Sequence, residues 1–274
     1  RAFIKPNRFL KVVFDSSNGT TGYILRKLFP KAVFVNASPD GNFPGHGPNP
    51  MAHGAMEDLK KAVRKHRADL GVIFDADGDR VFFVDDQGRE AETDAVAYLL
   101  MWSLRPKKMI ADVRAGYLIR NSNLLFSRVG HYFIKKLMRE KQADFAAEKS
   151  GHYYFKKFFY CDSGILAAIE VMNAVSRLPY KFSDFIDLLP QYYRSGEVNF
   201  KVSDAPIVVE RILRKYKKEA SKISHLDGLT MEFKDYWFNL RPSNTEPLLR
   251  LNMEAKNEKV LRRALEEVNR IVIC

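Results

Sequence analysis

Leu70-Gly71-Val72-Ile73-Phe74 runs into Asp75-Ala76-Asp77-Gly78-Asp79-Arg80 and out through Val81-Phe82-Phe83-Val84. The two apolar runs have strand length and are bounded by a polar turn, which predicts two buried strands joined by an acidic loop. Three carboxylates alternate with small residues, so the backbone can fold tightly and aim the carboxylates at one hard cation. Oxygen-only donors fit Mg²⁺, which commonly shares its shell with a phosphate. Arg80 would present a planar positive fork to the same phosphate. An EF-hand calcium loop is excluded, because the twelfth residue counted from Asp75 is Asp86 and not Glu. Two other readings stay open at this point: a plain acidic β-turn, and a phosphatase loop in which Asp75 attacks phosphate.

Outward from this loop the pattern repeats. Leu10–Phe14 and Ala32–Val35 read as strands, Thr20–Leu28 as a helix, and Met56, Leu59, Ala62 and Val63 follow helical spacing. Asp40–Pro50 is rich in Gly and Pro and reads as loop. A second βα unit follows, with a helix over Ala95–Leu104, strands at Met109–Ala111 and Asp144–Ala147, and helical stripes at Ile134, Leu137, Met138 and at Ile165, Ile169, Met172, Val175. After Pro190 the character changes. Val198, Phe200 and Val202 alternate, Ile207–Lys218 is a basic amphipathic helix, and three strand-like pieces (229–233, 236–240 and 248–253) precede a helix at Glu258–Ile271. The expected fold class is α/β: two βα-repeat domains with mixed, mostly parallel sheets (1–95 and 96–190), then a smaller α+β domain (191–274).

The 274 residues carry 45 Lys and Arg against 33 Asp and Glu, a net charge of +12. Nucleic-acid binding and attraction of small anions both fit that excess. The basic residues are scattered along solvated helix faces, which argues against nucleic acid. No apolar run reaches 18 residues, so no membrane partner is expected. Cys161 and Cys274 form neither a CxxC pair nor a zinc spacing, and a reducing cytoplasm is the simplest compartment. The chain opens with Arg1 and has no signal-peptide core, which reads as a start inside a longer protein.

Two more polar motifs stand out. Glu148-Lys149-Ser150-Gly151-His152 follows a short strand and offers acceptors and donors suited to sugar hydroxyls. Arg241-Pro242-Ser243-Asn244-Thr245-Glu246-Pro247 combines a guanidinium, two hydroxyls, an amide and backbone N–H groups, the inventory for gripping phosphate without a metal. Taken singly, one also reads as a helix-capping sequence and the other as a Pro-bracketed turn.

Together, in this order, the three loops resemble those of the α-D-phosphohexomutases, the phosphomannomutase/phosphoglucomutase family. The resemblance covers nearly the whole chain and corresponds to domains two, three and four of that four-domain family. It implies Asp75, Asp77 and Asp79 as Mg²⁺ ligands, and Arg80 against the phosphoserine or the transferring phosphoryl group. It further implies Glu148 and Ser150, with His152, as sugar readers, and Arg241, Ser243, Asn244 and Thr245 as the grip on the non-transferring phosphate. Asp40-Gly41-Asn42-Phe43-Pro44, Pro48-Asn49-Pro50, Val113-Arg114 and Val129-Gly130-His131 match further family positions. Arg114 stands where a basic residue is usual. His131 is a candidate for polarising a hydroxyl, and equally reads as a core histidine. The chain departs from the family at Ala76, often Gly, and at Ala146-Ala147, often Gly-Gly, where a more restricted loop backbone is expected. The stretch from Asp112 to His131 is short for the family. The family's Ser-His-Asn-Pro stretch, which carries the phosphoserine, is absent from these residues. The implied activity is interconversion of hexose 1- and 6-phosphates of mannose or glucose, glucosamine being less favoured. The phosphoserine domain is expected to be missing, leaving this chain alone inactive. A non-catalytic sugar-phosphate binding module and the phosphatase are the alternatives.

Overall fold

The computed structural model describes residues 2–243 and 248–273. Its first sheet grows from strands β1 (Val12–Asp15), β2 (Val33–Val35), β3 (Leu70–Phe74), β4 (Val81–Val84) and β5 (Glu90–Ala91), in the order β2-β1-β3-β4-β5. The β2-β1-β3 pairs are parallel, whereas β3-β4 and β4-β5 are antiparallel, so the sheet is mixed. Helices α1 (Thr21–Leu28) and α2 (Glu57–His66) make the crossovers. Leu59 and Val63 of α2 pack with Val13, Ile73, Phe82 and Val84 into one apolar cluster, which is why the face of α2 with 3.6-residue periodicity was visible in the sequence.

Next come α3 (Thr93–Leu104), β6 (Met109–Asp112), α4 (Tyr117–Arg120), β7 (Leu124–Ser127), α5 (His131–Lys141), β8 (Phe145–Ala147), β9 (Tyr153–Phe155), β10 (Cys161–Asp162), α6 (Gly164–Arg177) and α7 (Phe182–Asp187). The second sheet has the order β10-β9-β8-β6-β7, with β8-β9-β10 antiparallel. Helix α6 is buried along nearly its whole length. Its polar residues are paid for by the N-terminal strap: Asn173 Oδ1 accepts Lys5 N–H at 2.8 Å, and Ser176 Oγ accepts Asn7 N–H at 2.8 Å.

The third sheet is antiparallel, in the order β11-β15-β14-β13-β12, built from β11 (Tyr193–Lys201), β12 (Lys222–Ser224), β13 (Leu229–Glu232), β14 (Tyr236–Pro242) and β15 (Leu248–Ala255). Helices α8 (Ala205–Tyr216) and α9 (Glu258–Ile273) supply Ile212, Leu261, Ala264 and Val268 to its core with Leu240, Leu249 and Leu251. Two compact units result. One holds Arg1–Ile110 and Lys135–Leu189, the other Ala111–Ile134 and Pro190–Cys274. No described helix is long and apolar enough to cross a membrane.

Candidate functional site

In the first unit, β3 delivers Asp75 buried at the mouth of the acidic loop. Its Oδ1 accepts the N–H groups of Gly78 and Arg80, both at 3.1 Å, and its Oδ2 accepts Arg80 Nε–H at 2.5 Å. The carboxylate thus shapes its own loop, and its Oδ2, which accepts one hydrogen bond, keeps a lone-pair direction for a cation. Gly78 has φ +80°, and a Cβ there would lie 2.2 Å from Thr21 Cγ2. Ala76, in contrast, is absent from the positive-φ residues, so the loop needs no glycine at that position. Neighbouring turns clamp the loop from both sides, with Thr20 N–H donating to Ala76 O at 2.9 Å and Ala76 N–H to Pro48 O at 3.1 Å. Asp75, Asp77 and Asp79 each offer a carboxylate oxygen, and these lie within 4.8 Å of one another. An all-carboxylate donor set at this spacing fits a hard divalent cation such as Mg²⁺.

The β8–β9 hairpin carries the second motif. Ala146 and Ala147 sit in β8 itself, paired with Tyr154 and Tyr153. The expected restriction of the loop backbone at these alanines therefore does not arise, because extended strand suits alanine. The turn folds onto the acidic loop: Val81 N–H donates to Gly151 O at 3.0 Å, and Arg80 bridges His152 through the backbone. Glu148 is 3% exposed, and its Oε2 accepts Tyr154 Oη–H at 2.5 Å. Ser150 Oγ and His152 Nδ1 are 2.9 Å apart, and His152 Nε2 lies 3.5 Å from Asp79 Oδ1. Three acidic-loop carboxylates, Arg80, Glu148, Ser150 and His152 are thus joined in one unit. The hydrogen bond from His152 holds the Asp79 carboxyl below its ordinary range, while burial pushes Asp75 up against the opposing pull of Arg80. Burial and the nearby Glu148 push the Tyr154 phenol well above its usual value, so it stays a donor.

The second unit holds Arg114, His131, Arg241 and Ser243. Arg114 is gripped bidentately by Asp112, Nε to Oδ1 at 3.0 Å and Nη2 to Oδ2 at 2.9 Å. Arg241, on β14, is 6% exposed, and its buried Nε has no hydrogen-bond partner among the described residues. Among the described residues its ion pair is distant, 3.8 Å to Glu197. Burial, and then the charge of Arg114, push its guanidinium pKa down. Two cations that disfavour each other, one with a buried Nε lacking a partner among the described residues, are the kind of arrangement an anion could complete. Ser243 N–H donates to Leu248 O at 2.7 Å. His131 opens α5, after Gly130 at φ +121°. Asn244 and Thr245 lie outside the described residues.

Sequence reasoning missed several polar anchors. Asp15 is fully buried and holds His46, whose Nε2 is 3.2 Å from both carboxylate oxygens, which raises the histidine pKa. Asp112 and Tyr154 were missed as well. One available signal was that β1, β6 and the β3 run all end in Asp (Asp15, Asp112 and Asp75), at the strand ends where α/β sheets place ligand loops.

Comparison with known proteins decides the family. Residues 4–88 match phosphoglucomutase/phosphomannomutase alpha/beta/alpha domain II, residues 92–193 match alpha/beta/alpha domain III, and residues 197–271 match the C-terminal domain. The chain belongs to the phosphoglucomutase/phosphomannomutase family. It is 39% identical over 279 aligned positions to a phosphomannomutase of Methanocaldococcus jannaschii, an alignment covering 96% of this chain and 61% of that one. A phosphoglucomutase/phosphomannomutase family protein of Burkholderia thailandensis superposes with TM-score 0.87 at 28% identity, over 98% of this chain and 61% of that one. An N-acetylphosphoglucosamine mutase of Aspergillus fumigatus, solved with GlcNAc-6P and magnesium, shares the fold at TM-score 0.67 and 14% identity, over 98% of this chain and 62% of that one. The chain spans about three-fifths of the length of the first curated relatives it matches, 61% in each case.

Proposed function

We propose that this family member supplies the metal-, sugar- and phosphate-binding portions of a phosphohexomutase that interconverts hexose 1-phosphate and hexose 6-phosphate, with mannose or glucose as the sugar. The reading keeps three domains, 1–95, 96–190 and 191–274, each bringing one loop. The observation that carries it is the hydrogen-bonded union of the Glu148–His152 turn with the acidic loop, which ties sugar recognition to a carboxylate triad.

Asp75, Asp77 and Asp79 would hold Mg²⁺, which when bound offsets negative charge on a transferring phosphoryl group. Arg80, fixed on Asp75, points a rigid cation at the same group. Glu148 and Ser150, with His152, orient the ring hydroxyls. Arg241 and Ser243, together with Asn244 and Thr245, grip the phosphate that is not reacting, so that the reacting oxygen is held in place. Arg114 adds charge to a phosphoryl oxygen, and His131 polarises the hydroxyl that loses its proton. The phosphoryl carrier would be a phosphoserine from a domain outside these residues, and a sugar bisphosphate would be the intermediate. Without that carrier the chain binds but does not turn over.

Isothermal titration of glucose 1-phosphate and mannose 1-phosphate, with and without Mg²⁺, tests the reading. Binding should be lost in Arg241→Ala/Ser243→Ala and weakened in Glu148→Gln, with circular dichroism reporting that each variant is folded. Binding unaltered by these changes overturns the reading. Covalent phosphate on Asp75 would establish the phosphatase. No turnover on adding a phosphoserine-bearing first domain in trans would establish a binding module.

A further inference from the structure

Arg120 is a charged residue where a short helix facing a core would ordinarily carry an aliphatic side chain. It closes α4, is 8% exposed, and burial pushes its guanidinium pKa down. A buried cation is costly unless every face is compensated. Here the compensation is specific. Arg120 Nη1 donates to Val113 O at 3.2 Å and to Ala115 O at 3.0 Å, the carbonyls of the residues before and after Arg114. Its Nε donates to Glu232 Oε1 at 3.3 Å. Its planar face lies 4.1 Å from the ring centroid of Trp237 and 4.7 Å from that of Phe126. The other end of α4 is fixed too, because Tyr117 N–H donates to the buried Glu254 Oε2 at 2.5 Å, and Trp237 Nε1–H donates to the same oxygen at 3.0 Å.

The consequence falls on the turn. Holding the Val113 carbonyl fixes the peptide plane before Arg114, the plane after it is held by Ala115 N–H, which donates to Asp112 O at 3.0 Å, and the bond to Ala115 O pins the next peptide, so the direction of the Arg114 Cα–Cβ bond is set. Asp112 then sets the guanidinium plane through two further hydrogen bonds. We propose that Arg120 is a positioning residue for Arg114: one buried guanidinium, clamped on Trp237 and Glu232, holds the turn so that Arg114 faces its anion in a fixed pose. This rests on the reading above only for what Arg114 contacts. The clamp itself is independent of it.

Lysine at position 120 keeps the charge, but as a point donor on a flexible stem it cannot fork to two carbonyls while stacking on an indole. The test uses the full chain labelled for arginine Nε–Hε NMR, with the Arg114 signal assigned through Arg114→Lys. In the wild type that signal should be dispersed by its bond to Asp112. In Arg120→Lys it should move to the position of solvent-averaged arginines, while circular dichroism and the signals of distant arginines stay put. An unmoved Arg114 signal in a folded Arg120→Lys protein overturns the proposal.

Titration with glucose 1-phosphate then separates the two ideas. Arg114→Ala should weaken binding about tenfold or more. Arg120→Lys should lose most of the same factor, and the double variant should be no weaker than Arg114→Ala alone. Additive losses would show that Arg120 acts by another route and overturn the proposal. If Arg114→Ala binds like wild type while the NMR signal still moves in Arg120→Lys, the clamp stands and the phosphate role of Arg114 falls.

Discussion

Replacing Gly164 with alanine should damage the acidic loop from behind. Gly164 opens α6 after Ser163, which caps the helix by accepting Leu166 N–H, and its φ is not in the left-handed region, so the backbone itself accepts alanine. A Cβ at this position would stand 2.6 Å from Gly78 O, 3.1 Å from Arg80 O and 3.1 Å from Phe74 Cδ1. Two of those neighbours are backbone oxygens of the acidic loop, and no flexible side-chain tip can swing away. Relief to ordinary contact needs a displacement of roughly 0.5–0.8 Å, and overpacking of this kind costs about 1–3 kcal/mol. Alanine's helix preference over glycine returns at most about 0.5–1 kcal/mol, and less at the first turn. The clash therefore wins, by about 0.5–2 kcal/mol, which at roughly 2–4 °C per kcal/mol lowers the melting temperature by about 1–8 °C. Helix α6 is buried along its length and held by the N-terminal strap, so the loop is the part that yields. Mg²⁺ tolerates little departure from octahedral geometry at about 2.0–2.1 Å, so a shift of half an ångström should weaken its binding about tenfold or more. The assay is a thermal melt of each protein across a Mg²⁺ series. Gly41→Ala is the control, since a Cβ there meets nothing within 4 Å. A Gly164→Ala protein with wild-type melting temperature and a wild-type Mg²⁺ response would refute the argument.

Three other perturbations have signs fixed by the structure. The Asp15–His46 pair raises the histidine pKa above its ordinary 6.5, so its stabilisation is fully present below the unfolded pKa and is lost as pH rises through the folded one. Melting temperatures of wild type and His46→Gln should converge from pH 5.5 to about 8.5, and a gap that does not change with pH would contradict this. Gly228→Ala combines φ +69° with a Cβ 2.4 Å from Leu240 O and 2.7 Å from Arg241 Cα, so it should cost about 1–3 kcal/mol and also weaken glucose 1-phosphate binding. Destabilisation with unchanged affinity would separate Gly228 from the Arg241 site. Asp77→Asn, at an exposed position, should leave stability without Mg²⁺ within about 0.5 kcal/mol but abolish the Mg²⁺-dependent rise in melting temperature, and a rise of wild-type size would remove Asp77 from the donor set.

What the sequence made legible follows from range. Leu70–Phe74 and Val81–Val84 coincide with β3 and β4, and Glu258–Ile271 falls two residues short of α9. Each is a long or wholly apolar run whose period is complete within itself. Some of the shortest elements went unread. Strand β9 is three aromatic residues, β10 two, and α4 a single turn. None is long enough to show a period, and each is fixed by partners outside itself, such as Glu254, 137 residues on, for Tyr117 and the neighbouring strand's Phe155 for Cys161. The site divides in the same way. Carboxylates two residues apart announce a cation, and the structure brings Asp75, Asp77 and Asp79 within 4.8 Å. Asp15 and His46 are 31 residues apart, and Arg120 and Glu232 are 112 apart. No local spacing connects such pairs, so only the fold reveals them. The grouping of 111–134 with the C-terminal segment has the same origin, since Val129 N–H reaches Asp227 and Arg120 reaches Glu232.

The buried cations explain why the second unit is costly to build and, on the proposed reading, why it suits an anion. A guanidinium sealed from water loses several kcal/mol of hydration, a loss that close partners must offset. Arg120 recovers it from two carbonyls, a carboxylate and two ring faces. Among the described residues Arg241 does not: its Nε has no partner there, the carboxylate paired with it, Glu197, stands at 3.8 Å, and Arg114 pushes against it. The two arginines lie in one unit under one fold, so the difference is not a failure of packing around cations in general. The under-satisfied one belongs to the loop that the sequence marks for phosphate. A bound dianion would supply to Arg241 what Glu232, Val113 and Ala115 supply to Arg120, and because the donors are already fixed, little of that gain is spent on reorganisation.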